Sequence, residues 1–269
     1  MRRAVSRLSA CLGSAAIVSL ACAVVLAAHA ATAHASDQRR SGFDEMSPSS
    51  QAMQRDDLQN PGMLSVAEGE ALWSAAPARG GRSCADCHGD AAETMRGVAA
   101  RYPAWDADAG AASTLGARID RCRVRHQRAD SGGPEDAQRL ALEAYVGHQS
   151  RGLPIAPPED ARMTVARARG EALWRTRFGQ LGVSCAQCHD DRAGLRLGAS
   201  PIPQAHPTGY PIYRLEWQSI GSLQRRLRNC MVGVRATPFA PDSADATALE
   251  AWLAVRAAGM RIETPAVRP

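Results

Sequence analysis

The chain has 269 residues, a formal net charge of +5 and only 4% aromatic residues. This length indicates one or two domains. Without Arg2, Arg3 and Arg7 of the basic start the charge is 5 − 3 = +2, which is nearly balanced and does not indicate a nucleic-acid-binding protein. The sequence contains no lysine, so an anion site here must use the planar, permanently charged guanidinium of arginine. The small aromatic fraction indicates that something other than side chains supplies large flat apolar surface to the core.

Residues 1–35 predict a secretory signal peptide. A basic start, "MRRAVSR", precedes an apolar run, and small-residue cleavage sites follow, ending at Ala30 and Ala35. The alternative is a retained membrane anchor, because the apolar run is nearly long enough to span a bilayer. The polar stretch "SDQRRSGFDEMSPSSQ" after Ala35 favours cleavage. We therefore expect an exported protein with no membrane span after cleavage.

The remaining sequence contains an internal repeat. "GEALWSAAPARGGRSCADCHGD" (69–90) recurs as "GEALWRTRFGQLGVSCAQCHDD" (170–191), at an offset of 101. "LGARIDRC" (115–122) matches "LQRRLRNC" (223–230) at an offset of 108, and "LEAYVGHQSRGL" (142–153) matches "LEAWLAVRAAGM" (249–260) at 107. The repeat predicts an N-terminal extension at 36–66 and two tandem domains at 67–155 and 156–269, below called the first half and the second half.

Both halves read as helical. Apolar residues recur at spacings of three and four over 66–76, 136–149 and 165–177. Between these stretches lie Gly- and Pro-rich segments, of which "LPIAPPED" (153–160) is the predicted linker. No segment alternates convincingly as a strand, so the predicted fold class is all-α.

Each half carries a C-x-x-C-H motif, "CADCH" at 84–88 and "CAQCH" at 185–189. This is the attachment signature of c-type haem, because residues at i, i+3 and i+4 share one helical face. The motifs predict two covalently bound haem c groups, attached through Cys84 and Cys87 and through Cys185 and Cys188, with His88 and His189 as axial ligands. The alternatives are a thioredoxin-like redox pair and half of a zinc site; two motifs in a repeat favour haem.

The second axial ligand is predicted from what the halves share. No methionine occupies equivalent positions, although Met95, Met163, Met231 and Met260 are available, whereas Cys122 and Cys230 are equivalent. We therefore expect each thiolate to ligate the iron of its own half. Two alternatives remain open: a disulfide between these two cysteines, and bis-histidine ligation by His126 or His206, which lack counterparts in the other half.

Arginines flank the distal cysteines. Arg226 lies four residues before Cys230, on the same face of a helix. A guanidinium there lowers the pKa of a thiol and can hold an oxyanion through two hydrogen bonds; Arg235, five residues after the cysteine, is a further candidate. Arg118 stands at the same place before Cys122, and pairing with haem propionates is an equally simple role. Spacing alone does not show whether Cys122 or Cys230 is the reacting cysteine.

The two motifs, the distal cysteine in "IDRCRVRHQ" and above all the segment "RRLRNCMVGVRATPF" resemble SoxA, the dihaem subunit of the SoxAX cytochrome, over about residues 60–260. The resemblance implies cytochrome c-like domains and an L-cysteine S-thiosulfotransferase of the periplasm. It implies a heterodimer with a SoxX-like monohaem cytochrome that couples thiosulfate oxidatively to a cysteine of a SoxYZ-like carrier. Electrons would leave through the haems to an acceptor cytochrome c.

The resemblance also assigns roles by position. Cys230 matches the haem-ligating cysteine that carries a persulfide and forms the covalent intermediate, Arg226 matches the substrate-binding arginine, and Cys122 matches the distal ligand of the first haem. The main alternative function is a dihaem electron-transfer cytochrome without its own catalysis, which would be expected to show an equivalent methionine in each half. A dihaem peroxidase has no supporting motif.

Overall fold

The computed structural model describes residues 37–269, so the predicted signal peptide lies outside the described residues. The chain divides into a unit of residues 1–39 and a unit of residues 40–269. In the first unit, Arg39 forms an ion pair with Asp37 at 2.7 Å. Both halves of the repeat lie in the second unit.

The described chain is mostly helical. The helices up to the end of the first half are α1 (Pro48–Arg55), α2 (Met63–Ser74), α3 (Ala85–His88), α4 (Ala91–Thr94), α5 (Leu115–Gln127) and α6 (Ala137–His148). The second half contains α7 (Thr164–Arg175), α8 (Cys185–His189), α9 (Leu223–Gly233) and α10 (Ala244–Arg256). Short 3₁₀ turns occur at Ala99–Arg101 and Ala161–Met163. The three helices predicted from periodicity are therefore present.

The structure adds short strands that the sequence did not predict. They are β1 (Ala104–Asp106), β2 (Ala111–Ser113), β3 (Arg196–Leu197), β4 (Ser200–Pro201), β5 (Ile212–Arg214), β6 (Ser219–Gly221) and β7 (Ala266–Arg268). β1 pairs with β2 and β3 with β4, both antiparallel, while β5 lies between antiparallel β6 and parallel β7. Each strand has two or three residues, too few for an alternating pattern to be visible in the sequence.

One helix pair forms the centre of each half. α2 packs against α6, and α7 packs against α10. The glycine of each "GEALW" segment allows this approach: a Cβ on Gly69 would lie 2.1 Å from the Ala141 carbonyl oxygen, and one on Gly170 would lie 2.0 Å from that of Ala248. Any larger residue would force the helices apart, which explains why the repeat keeps glycine there.

Side-chain caps fix the starts of the helices that carry the distal cysteines. Thr114 Oγ1 accepts a hydrogen bond from the Ala117 N–H at 3.1 Å and so caps α5. Ser222 Oγ caps α9 by accepting from the Arg225 N–H at 3.0 Å. Each cap satisfies a backbone donor that a helix start leaves without an intrahelical partner, so the position of each distal cysteine along its helix is fixed.

The N-terminal extension packs onto the end of the second half. The Asn60 side-chain amide donates to the Pro265 carbonyl at 2.9 Å, and the Val267 N–H of β7 donates to Gln54 Oε1 at 3.0 Å. The predicted linker is also held: the Ala156 N–H donates to the Ala100 carbonyl at 2.8 Å. Among residues 37–269, no helix is both long enough and apolar enough to cross a membrane.

Candidate haem centres and reactive cysteine

The first C-x-x-C-H motif forms a single helical turn. Cys84 precedes α3, and the His88 N–H donates to the Cys84 carbonyl at 2.9 Å. Ser83 and Asp86 cap the turn reciprocally, with the Ser83 N–H donating to Asp86 Oδ2 at 2.8 Å and the Asp86 N–H donating to Ser83 Oγ at 3.1 Å. Gly89 ends the turn with φ of 67°. Cys84, Cys87 and His88 therefore share one short, capped turn.

The second motif forms α8 and is held in the same way. Ser184 and Gln187 make a capping box, in which the Gln187 N–H donates to Ser184 Oγ at 3.2 Å and the Ser184 N–H donates to Gln187 Oε1 at 2.9 Å. His189 Nδ1 lies 2.6 Å from the Pro203 carbonyl oxygen. A carbonyl only accepts, so Nδ1 carries the proton and Nε2 presents a lone pair suited to iron.

The tryptophan of each "GEALW" segment packs beside the motif histidine. The ring centroids of Trp73 and His88 are 5.8 Å apart, and those of Trp174 and His189 are 5.7 Å apart. Each indole N–H donates to an oxygen of the residue directly after the histidine, at 2.9 and 2.8 Å. The repeated helix thus orients the imidazole in both halves, which gives the shared sequence a physical role.

The distal cysteines lie near the motif of their own half. Cys122 is in α5 and Cys230 is in α9, both half-buried, and all six cysteines of the described residues are free thiols. Burial raises the pKa of the Cys84 thiol, and the charge of Cys122 raises it further. Burial raises the pKa of Cys185 to about 11, with Cys230 as the next contribution. The structure therefore gives no support to the disulfide alternative.

The histidines of the bis-histidine alternative have other surroundings. His126 is exposed at the end of α5. His206 Nδ1 lies 2.9 Å from the Arg40 carbonyl. Two free thiols one turn apart, an imidazole and a third thiol on a neighbouring helix are present in both halves. This donor set fits a c-type haem with histidine and cysteine as axial ligands.

The arginine before each distal cysteine meets a different environment. In the first half, Arg118 Nη1 binds Asp106 Oδ2 at 2.9 Å and Asp108 Oδ2 at 3.5 Å. Asp106 has only 4% of its side chain exposed and also binds Arg121 at 3.1 Å. In the second half, the side chain of Arg226 has neither an ion pair nor a hydrogen bond within the described residues. Arg226 therefore keeps its donors available for an anion.

Arg214 is the site residue that sequence reasoning missed. It ends β5 and occupies the position of Asp106 at the end of β1, at the offset of 108 that also relates Arg118 to Arg226. Burial lowers the pKa of its guanidinium, and the positive charge of Arg226 lowers it further. The repeated dipeptides "YP" at 102–103 and 210–211 were the sequence signal that extends the alignment across this position.

The guanidinium of Arg214 is held in place by Pro269 and Glu216. Its Nε and Nη2 donate to the Pro269 carbonyl at 2.9 and 2.6 Å, and its Nε lies 3.1 Å from the exposed carboxylate of Glu216. Burial raises the pKa of Tyr210, and the charges of Arg226, Cys230 and Arg214 all act on this tyrosine. The first half thus has Asp106 where the second half has Arg214. The second site therefore has two guanidinium groups, those of Arg214 and Arg226, near Cys230.

Arg235 is placed less centrally. It follows α9 with φ of 57°, is exposed, and donates from Nη1 to Gln180 Oε1 at 3.4 Å. Its side-chain hydrogen bond therefore goes to Gln180 and not to Cys230, and its part in the site stays a prediction.

The capped C-x-x-C-H turns and their tryptophan-packed histidines define a c-type cytochrome. A family model described as SoxA/TsdA, cytochrome c domain, matches residues 68–155 and 169–262. The chain belongs to this family, which implies covalently bound haem c.

Named relatives and a solved structure agree with this family. The L-cysteine S-thiosulfotransferase subunit SoxA of Pseudaminobacter salicylatoxidans is 36% identical over 246 residues, covering 91% of this chain and 86% of that protein. The protein of the same name from Rhodovulum sulfidophilum is 35% identical and covers 86% and 81%. A crystal structure of SoxXA from P. pantotrophus matches with a TM-score of 0.81 at 30% identity, covering 86% of this chain and 87% of that one.

Proposed function

We propose that this chain is the catalytic dihaem subunit of a thiosulfate-oxidising cytochrome, an L-cysteine S-thiosulfotransferase that joins thiosulfate to a cysteine of a SoxYZ-like carrier protein. The activity is that of the curated SoxA relatives. The observation that carries the proposal is the change from Asp106 to Arg214, which supports anion binding at Cys230 and not at Cys122.

The reaction needs a site for a dianion and a route for electrons. One S–H bond of the carrier cysteine breaks and one sulfur–sulfur bond forms to thiosulfate, with release of one proton and two electrons. Each bound haem c would accept one electron at a time. Thiosulfate carries two negative charges, so it is attracted to two guanidinium groups that otherwise repel each other.

The chain's own residues have separable roles. Arg226 presents free N–H donors to the thiosulfate oxygens. Arg214, held by Pro269 and paired with Glu216, adds positive charge that Glu216 offsets only in part, because solvent screens its half-exposed carboxylate. Cys230 would hold the iron of the second haem, and it would also carry the persulfide and the covalent intermediate that the resemblance to SoxA implies. The hydrogen bond from His189 to Pro203 fixes the orientation of the imidazole that would hold the same iron.

The first centre is proposed to be a ligation site only. His88 and Cys122 would hold a second haem c attached to Cys84 and Cys87, giving two haems in total. The carboxylate of Asp106 already neutralises Arg118, so an anion gains little there. On this proposal Cys122 is a ligand without a covalent role.

The same proposal covers architecture and context. The two halves, 67–155 and 156–269, are tandem helical cytochrome c-like domains that arose by duplication, and the short strands are additions to that all-α plan. Export through a cleaved signal peptide at 1–35 would place the protein in the periplasm. The fold match to SoxXA supports a SoxX-like monohaem cytochrome as the partner subunit, with an acceptor cytochrome c downstream.

The test is to compare Cys230→Ala with Cys122→Ala in the holo-complex. We expect each variant to keep four thioether bonds and to lose thiolate ligation at one haem, as seen by haem stoichiometry and visible spectra. Only Cys230→Ala should abolish coupling of thiosulfate to the carrier cysteine. Normal coupling by Cys230→Ala would refute the enzyme assignment and favour a plain electron-transfer cytochrome.

A further inference from the structure

A cavity of about 100 Å³ lies where the two halves of the chain meet. Its lining repeats: Tyr102, Leu115 and Glu143 come from the first half, and their equivalents Tyr210, Leu223 and Glu250 come from the second, at offsets of 107 or 108. A cavity of this size that contains carboxyl groups has room for a small number of water molecules. Two carboxyl groups from equivalent positions thus face one shared space.

The two glutamates share too little positive charge for both to ionise. The one guanidinium that acts on both is that of Arg139, and it is already bound to Asp242 at 2.6 and 2.9 Å, with Asp120 at 3.6 Å. Burial raises the pKa of Glu143 to about 7 and that of Glu250 to about 8, and the nearby negative charges of Asp242 and of other carboxylates add to both shifts.

The remaining groups facing the pair are hydrogen-bond donors and one further acid. Gln224 of α9 donates from Nε2 to Glu250 Oε1 at 2.8 Å, and the backbone of Gly116 in α5 bonds to Glu143. Glu135 adds negative charge near Glu143, although Glu135 itself lies 3.7 Å from Arg225. Each carboxyl therefore has a fixed donor, and neither has a cation of its own.

One tyrosine from each half lines this cavity and is acted on by charged groups of its own centre. Tyr210 lines the cavity, and the charges that act on it first are those of Arg226 and Cys230. Tyr102 lines it from the other side and is acted on by Arg118, Asp106 and Cys122. The cavity that holds the glutamate pair therefore borders both centres through these two tyrosines.

We propose that Glu143 and Glu250 form a redox-linked carboxyl pair, which takes up a proton when the haem centres are reduced and returns it when they are reoxidised. This inference rests on the function proposed above. In each coupling event the two electrons would go to the haems and the proton would go to the glutamate pair. Protonation would then offset negative charge that arrives in a poorly solvated region. The carboxyl oxygens and cavity water would carry the proton; the tyrosines only border the cavity.

The test measures proton uptake on chemical reduction of the holo-complex, without thiosulfate or carrier. Haem potentials titrated between pH 6 and 9 should fall as pH rises in the wild type. In Glu143→Gln and Glu250→Gln, that pH dependence should be lost or at least halved. Reduction-induced infrared difference spectra should show the C=O stretch of a protonated carboxyl group in the wild type and not in the double variant.

Glu171→Gln is the matched control, because Glu171 lies away from the cavity on α7, has 43% of its side chain exposed and pairs with Arg175. It should leave both the potentials and the infrared signal unchanged. An unchanged pH dependence in the double variant would overturn the proposal and assign proton uptake to other groups, such as haem propionates. Because no thiosulfate is used, this outcome is independent of whether the protein couples thiosulfate to a carrier.

Discussion

The two candidate haem centres share their scaffold and differ in the charged residues around the distal cysteine. Each has a capped C-x-x-C-H turn, a tryptophan beside the histidine and an arginine one turn before a distal cysteine. In the first centre Asp106 binds the arginine, whereas in the second the equivalent residue is Arg214. The comparison shows that a repeated arginine can be given a different electrostatic environment by changing a residue near it, without changing the arginine itself.

We expect the largest effect from Arg214→Asp, which places in the second centre the residue type that the first centre has at Asp106. The new carboxylate should pair with Arg226 and repel thiosulfate. The variant would lose the contribution of Arg214 and that of Arg226, each about 1.5–3 kcal/mol for a charge-assisted contact with thiosulfate. We therefore expect kcat/KM for thiosulfate to fall about 100-fold or more. Steady-state coupling assays measure it, with Arg214→Ala as the milder companion. An undiminished rate would remove Arg214 from the site.

Arg226→Ala and Arg118→Ala separate the two equivalent arginines. Arg226 has free donors, so its loss should lower kcat/KM about 10- to 100-fold. Arg118 is committed to Asp106, so its loss should change the same constant by less than about threefold. Equal effects of the two substitutions would show that the centres are functionally alike, contrary to our comparison.

Asp106→Asn tests the first centre through stability. Burial alone would raise the pKa of Asp106, but the hydrogen bond from Arg118 and other contacts bring it below its ordinary 3.8. Its ionised form therefore stabilises the fold at neutral pH, and that contribution is lost as pH falls below 3.8. The variant should lose about 1–3 kcal/mol of unfolding free energy at pH 7.

Denaturant titrations at several pH values measure this effect. The difference between the wild type and Asp106→Asn should shrink as the solution becomes more acidic, because the wild-type carboxyl is then protonated. A difference that stays constant with pH would show that the Asp106 charge is not what stabilises the first centre.

The smallest expected effect is that of Arg235→Ala. Arg235 is exposed and its contact is with Gln180 at 3.4 Å, so coupling should change by less than about twofold. The inhibition constant of sulfate, measured in the wild type and in Arg235→Ala, tests whether Arg235 binds the anion in addition to Arg226 and Arg214. A loss comparable to that of Arg226→Ala would enlarge the anion site to include the residues after α9.

The sequence predicted the parts of this molecule that depend on local spacing. The C-x-x-C-H turns, the α2, α6 and α7 helices and the equivalence of Cys122 with Cys230 all follow from periodicity or repetition. It did not predict the exchange of Asp106 for Arg214, because both lie on three-residue strands and their meaning depends on which arginine they face. Pairings of that kind are set by tertiary packing.

The N-terminal extension has a consequence for the order of assembly. Asn60 bonds to Pro265 and Gln54 bonds to Val267, although about two hundred residues separate the partners in sequence. Contacts this distant close late, because the intervening chain must first lose its freedom. The extension therefore docks only after residues 265–267 have been made, and its docking reports that both halves are already in place.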